Sequence, residues 1–136
     1  MDCVFCKIRD GQIPSFKIYE DSRTLAFMDI NPLAPGHCLV ISKNHAATIF
    51  DAEVPDLQAA IAAVKKVAVA VRSAFQAEGI NVLQANGAAA FQSVPHIHFH
   101  IIPRWTNDGK GFDWKLVPGV MEQIKQNAER IQAVLR

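Results

Sequence analysis

His96, His98 and His100 alternate with apolar residues in Pro95-His-Ile-His-Phe-His-Ile-Ile-Pro103, three of the chain's five histidines in one run. In an extended strand successive side chains point to opposite faces, so the three imidazoles share one face and Ile97, Phe99 and Ile101 the other. A helix would scatter the same residues around its axis. On the strand, neighbouring rings stand roughly 6–7 Å apart and the outer pair roughly 13 Å, so neighbours can grip one ligand while the ends serve two sites. A lone strand histidine is most often a half-buried ring with one hydrogen bond. Three in register put polar rings where a sheet face calls for apolar core or long solvated side chains, and such a cluster of titratable groups is the usual mark of a site.

Cys3-Val-Phe-Cys6 is the second constellation. A two-residue gap lets both thiolates reach one metal ion, which makes half of a tetrahedral zinc site. The remaining soft or borderline ligands are Cys38, His37, His45 and the histidine row, with His45 and His96 suited to complete a closed Cys₂His₂ site that ties down the N-terminal segment. A thioredoxin-like redox pair belongs between a strand and a helix start, which is not where this pair lies. Cys38, in an apolar strand, reads as an inert buried thiol. With His96 on a metal, His98 and His100 keep a free face. A neutral imidazole is a good nucleophile near pH 7 and forms a phosphoramidate that water later cleaves, while a second imidazole can donate to the phosphate oxygens. Ser93 offers a hydroxyl to the same group, or caps the turn before the strand.

Elements must hold these groups in place. Residues 17–20 and 23–28 read as two short strands around Asp21-Ser22, and the turn-rich run Asp29-Ile-Asn-Pro-Leu-Ala-Pro-Gly36 leads to a third strand at His37–Ser42. From Pro55 to about Glu78 an apolar stripe of Leu57, Ile61, Val64, Ala68, Val71 and Phe75 predicts an amphipathic helix, with Pro55 in its first turn and Gly79 as its stop. A fourth strand at Ile80–Ala85, an Asn-Gly-Ala-rich loop and the histidine strand follow, then a loop through Trp105–Gly111 and a final helix marked by Val120, Ile124, Ala128, Ile131 and Leu135. This order suits an α+β fold, an antiparallel sheet with helices on one face. Small residues of the long helix (Ala59, Ala60, Ala62, Ala63, Ala70) offer a surface for close packing on a partner.

At 136 residues the chain reads as a single domain, residues 1–136, large enough to fold on its own core. A formal net charge of +1 lacks the basic stripe that long nucleic acids require. No run approaches the length of a membrane span, the N-terminus lacks a secretory pattern, and an odd cysteine count suits a reducing compartment. The expectation is a cytoplasmic protein that binds neither nucleic acid nor membrane.

Gln92-Ser93-Val94-Pro95-His96-Ile97-His98-Phe99-His100-Ile101-Ile102 resembles the signature of the histidine triad (HIT) family. Ile13-Pro14, Leu25–Pro32 and Ala34–His45 resemble further family segments in the same order, so the likeness spans roughly residues 3–104. Within the family the chain is most similar to the Hint branch, in particular to small bacterial members with an N-terminal Cys-x-x-Cys. The resemblance implies a HIT-like fold of about five antiparallel strands with one long and one C-terminal helix, a homodimer in which two sheets run together, and hydrolysis of purine nucleotides. It implies that His98 is the nucleophile attacking the α-phosphorus, that His100, Ser93, the backbone at Gln92 and Asn86 bind phosphate, that Asp29 binds the ribose hydroxyls, and that Ile30 lines the nucleoside pocket. It also implies a structural zinc ion on Cys3, Cys6, His45 and His96. Asp29 before Ile-Asn-Pro also suits a turn residue. Related galactose-1-phosphate uridylyltransferases have glutamine at the third histidine, so His100 favours hydrolysis over transfer. The expected reaction releases a nucleoside 5′-monophosphate from a small leaving group, of the adenosine 5′-phosphoramidate type. The alternatives are cleavage of dinucleoside polyphosphates and a non-catalytic nucleotide-binding dimer. Two positions depart from the pattern. Phe91 replaces a common glycine and should tighten the pocket mouth, and Pro95 replaces an aromatic residue and removes one backbone donor at a strand start. The likeness weakens over residues 105–136, a region that often shapes substrate choice in the family.

Overall fold

Cys38-Leu-Val-Ile-Ser42 is apolar on both faces, and that places it at the centre of the sheet, where every residue is buried. The computed structural model describes residues 2–111 and 116–135. Five strands, β1 (Lys17–Glu20), β2 (Thr24–Met28), β3 (Cys38–Ser42), β4 (Gly79–Leu83) and β5 (His98–Arg104), form one sheet in the order β1-β2-β3-β5-β4. All neighbours pair antiparallel. Three α-helices stand among the described residues: α1 (Val4–Arg9), α2 (Val54–Phe75) and α3 (Met121–Val134). The α+β reading and the five strands therefore hold.

Strand alternation divides the core in two. Ala26, Cys38, Val40 and Ile101 face α2 and pack on Ala63, Val64, Val67 and Val71. Leu25, Phe27, Leu39 and Ile41 face the other way and pack on Cys3, Phe5 and Cys6 around α1. His98 pairs across from Ile41 and His100 from Leu39, so both histidines stand on the α1 face. Two helices thus cover opposite faces, which corrects the expectation of helices on one face. The first helix is too short for periodicity to show, six residues whose apolar positions double as metal-loop residues.

Other boundaries move for local reasons. The long helix ends at Phe75, where Gln76 adopts φ 48° and its N–H caps Arg72 and Ser73 carbonyls, so Gly79 begins β4 instead of stopping the helix. β4 ends at Leu83 because Gln84 and Asn86 exchange two amide hydrogen bonds of 2.7 Å and fold the loop. The apolar stripe on the long helix is only partly buried, with Val64 and Val71 in the core and Ile61 on the surface. Of the small residues on this helix, Ala60 and Ala63 are buried, Ala63 against the chain's own sheet, while Ala62 and Ala70 stay exposed. The final helix forms where expected, yet none of its residues is buried. Of the segment 105–136, residues 112–115 and Arg136 lie outside the described residues, as does Met1. No helix among the described residues is long and apolar enough to cross a membrane.

Gly36 sets the entry into β3 at φ 91°, and a Cβ there would meet the Phe75 ring at 2.8 Å. Both the left-handed backbone and the contact exclude a side chain. Gly36→Ala is expected to cost about 1–2 kcal/mol from the backbone alone, read as a lower midpoint in thermal or urea unfolding. An unchanged midpoint would contradict this packing of β3 against the end of α2.

Candidate active site and metal centre

His96 precedes β5 in an irregular turn, so only two of the three histidines lie on the strand. Its N–H donates to the Val94 carbonyl and that of Ile97 to the Ala46 carbonyl, which turns the chain before the ladder begins. Pro95 therefore sits outside the ladder and leaves no strand bond unmade. The turn carries the His96 ring away from the row and toward the N-terminal loop. Its Nδ1 lies 3.4 Å from Cys3 Sγ, 3.6 Å from Cys6 Sγ and 3.2 Å from His45 Nδ1. His45 Nδ1 is 3.4 Å from Cys6 Sγ.

The donor set and its dimensions fit one tetrahedral ion. Zn–N bonds near 2.0–2.1 Å and Zn–S bonds near 2.3 Å give N–N and N–S edges of about 3.3–3.6 Å, close to the 3.2–3.6 Å between these atoms. His96 Nε2–H donates to the Ser42 carbonyl at 2.7 Å, so Nδ1 carries the lone pair that faces the cluster. The His45 and His96 nitrogens, 3.2 Å apart beside two buried thiols, are placed so that they could hold a cation between them. Burial pushes the Cys6 thiol up and the His96 imidazole down to about 4, so both groups favour their neutral forms, and a bound dication would ionise the thiol.

On the far side of Phe5 lies a cavity of about 500 Å³. Val4, Phe5, Ile8, Ile13, Pro14, Phe27 and Leu39 make an apolar slot, and Asp29, His37, Ser93, His98 and His100 gather as its polar groups. This is the composition of a small-molecule pocket, mostly apolar with a few convergent polar groups. Phe5 meets the His98 ring edge-on, with centroids 5.0 Å apart, and meets His96 at 5.9 Å. His98 Nδ1–H donates to the His96 carbonyl at 2.7 Å, which leaves Nε2 unprotonated. The His98 and His100 rings are 5.0 Å apart.

A family model described as the HIT domain matches residues 10–107. The chain belongs to the HIT family. It is 42% identical over 137 residues to an adenosine 5′-monophosphoramidase of Schizosaccharomyces pombe, covering the whole of both chains. A HIT family protein of Bacillus subtilis has the same fold, with a TM-score of 0.93, 40% identity, and coverage of 100% of this chain and 99% of that one. A Zn-bound histidine triad family protein from Mycobacterium smegmatis superposes with a TM-score of 0.78 at 34% identity over 99% of each chain.

In this HIT chain the expected residues separate into three groups. Cys3, Cys6, His45 and His96 converge on one point. Asp29, Ile30, Ser93, His98 and His100 line the cavity. Asn86 and Gln92 do not line it. Asn86 Oδ1 accepts from the Ile49 N–H and from Gln84, while Gln92 Oε1 accepts from Gly87 N–H at 2.7 Å and its amide donates to the Ala47 and Val94 carbonyls. Their side chains hold the loop ahead of Ser93. Asp29 Oδ1 accepts the Asn31 N–H in a turn, as one reading expected, and the residue also lines the cavity. Phe91 adopts φ 66° and is 91% exposed, so its ring points to solvent and does not narrow the mouth as expected.

His37, which the sequence offered only as one of several spare metal ligands, stands instead beside His100 in the cavity. It is buried, with Nε2 3.0 Å from His100 Nδ1 and 3.4 Å from Asp29 Oδ2. Its four-residue spacing from Leu33 in a Pro-Gly loop was the available signal. Phe5 was hidden in the same way, as filler between two cysteines.

Burial pushes the His98, His37 and His100 imidazoles down, His100 to about 4, so all three are neutral at pH 7. In the unfolded chain these rings titrate near 6.5. Between those values the unfolded state binds more protons, so stability falls as pH drops through this window. The thermal midpoint is expected to be lower at pH 5 than at pH 7, and lowered less in a His100→Asn variant. A wild-type midpoint that does not change over this range would contradict the neutral, buried histidines.

Proposed function

We propose that the chain hydrolyses purine nucleoside 5′-phosphoramidates of the adenosine 5′-phosphoramidate type through a nucleotidyl group carried on His98. The observation that carries this reading is the orientation of His98. Its Nδ1–H is held by the His96 carbonyl, so the Nε2 lone pair belongs to a ring that lines the cavity. A neutral imidazole fixed in this tautomer is an activated nucleophile at pH 7. Nε2 attacks the α-phosphorus, a P–Nε2 bond forms, and the P–N bond breaks as the amine leaves with a proton taken from solvent. Water then attacks the phosphorus, the P–Nε2 bond breaks and the proton lost by the water passes to solvent, returning neutral His98 and releasing the monophosphate.

The other cavity groups fit the same substrate. His100 and Ser93 donate to phosphate oxygens, and the Asp29 carboxylate accepts from ribose hydroxyls. Ile30 and the apolar slot hold the base. Asn86 and Gln92 serve the phosphate through the backbone of the loop they fold. The Schizosaccharomyces pombe relative, an adenosine 5′-monophosphoramidase, supports this substrate class. His98→Ala is expected to lower turnover of an adenosine phosphoramidate roughly a thousandfold or more and to keep monophosphate binding within a few-fold, measured by amine release and by calorimetry. Full residual turnover would refute the mechanism. Wild-type binding without turnover would favour a nucleotide-binding role instead.

The ion on Cys3, Cys6, His45 and His96 is proposed to be zinc. When bound it holds the N-terminal loop and α1 against the sheet, and it takes no part in the bond changes. Its ligand His96 supplies the carbonyl that orients His98, and Phe5, between the two cysteines, packs on both rings. The family further supports a homodimer, for which β4 offers an open sheet edge. Native mass spectrometry is expected to show a dimer with one zinc per chain and a metal-free Cys3→Ser/Cys6→Ser variant. Metal-free wild type would refute the zinc assignment, and a monomer the dimer.

A further inference from the structure

We propose that His37 is a positioning residue that fixes the tautomer of His100, so that His100 presents Nε2–H to the ligand. The argument begins at a group whose role is unambiguous. The Leu33 backbone N–H can only donate, and it points at His37 Nδ1 at 3.0 Å. His37 Nδ1 therefore accepts, and the neutral ring carries its proton on Nε2. That Nε2–H lies 3.0 Å from His100 Nδ1 and donates to it. His100 Nδ1 is thereby an acceptor, and the His100 proton sits on Nε2, at the opposite edge of a ring that lines the cavity. Asp29 Oδ2, 3.4 Å from His37 Nε2 and 4.0 Å from His100 Nδ1, adds a negative charge that favours a proton between the two rings.

Asp29, His37 and His100 also lie close enough to ligate one metal ion. The same Leu33 N–H argues against this. A metal on His37 Nε2 would need the lone pair there and would send the proton to Nδ1, donor against donor at 3.0 Å. The local chain is built to hold the relay instead. Gly36 turns at φ 91°, the His37 N–H donates to the Ala34 carbonyl, and its carbonyl accepts from the Asp29 N–H. With the other tautomer, His100 would offer a lone pair to a phosphate oxygen, and the contact would repel.

The consequence for catalysis rests on the proposed phosphate-binding role of His100, but the tautomer does not. Long-range ¹H–¹⁵N correlation spectra of the ligand-free, ¹⁵N-labelled protein at pH 7 read it directly. We expect both His37 and His100 to be protonated at Nε2 alone. In His37→Leu the His100 preference is expected to be lost and kcat to fall about 10- to 100-fold, with KM changing less. His37→Gln, which keeps a donor near the Nε2 position, is expected to restore the tautomer and most of kcat. A wild-type His100 protonated at Nδ1, or an unchanged His100 tautomer in His37→Leu, would overturn the proposal. The wild-type spectrum decides even if a variant fails to fold. Wild type with the expected tautomers but without phosphoramidate turnover would sink the enzymatic reading and leave this one standing.

Discussion

Three groups on His96 are committed in three directions, and the arrangement of the site depends on this one residue. Its Nε2–H is held by the Ser42 carbonyl at the end of β3, its Nδ1 faces two thiols and a second imidazole, and its own carbonyl takes the His98 Nδ1–H. Each bond dictates the next. The Ser42 contact decides which nitrogen is free for a metal, and the backbone contact decides which nitrogen of His98 is free for chemistry. The cluster that could hold a metal and the ring proposed to react are thus joined through one residue and its carbonyl, with Phe5 packed against both rings.

Burial gives these contacts their meaning. His37, His96 and His98 are almost wholly buried, and each ring is pushed toward its neutral form. A charged imidazole has two donors and no lone pair, so it could neither ligate a metal nor attack phosphorus. The surrounding apolar residues, Leu39, Ile41 and Phe27 from the sheet with Phe5 from α1, therefore serve the chemistry as well as the core. The opposite face carries α2 on Ala26, Cys38, Val40 and Ile101, so the sheet beneath the site is packed on both sides.

Much of this was legible in the residues. Alternation in His98-Phe-His-Ile places both rings on one face because a strand has a period of two. The spacing of Cys3 and Cys6 announced a half-site because two intervening residues bring both sulfurs to one ion. The long helix was plain from its stripe, although its end was not, since Gln76 rather than a glycine takes the left-handed stop. Helix α1 escaped notice because six residues hold too little periodicity to read. Asn86 and Gln92 stand at motif positions that the family resemblance assigns to the phosphate, and their amides also satisfy backbone groups that no linear pattern reveals.

The sequence by itself determined the inventory of groups and the local period that aligns them: two cysteines one turn apart, two strand imidazoles on one face, and a glycine where only a glycine can turn. The tertiary structure alone decided which nitrogen of each ring carries its proton. That choice depends on partners far along the chain: Ser42 for His96, and His37 and behind it Leu33 for His100. A tautomer is set by what lies within about 3 Å of each nitrogen, and such neighbours exist only once the strands have paired.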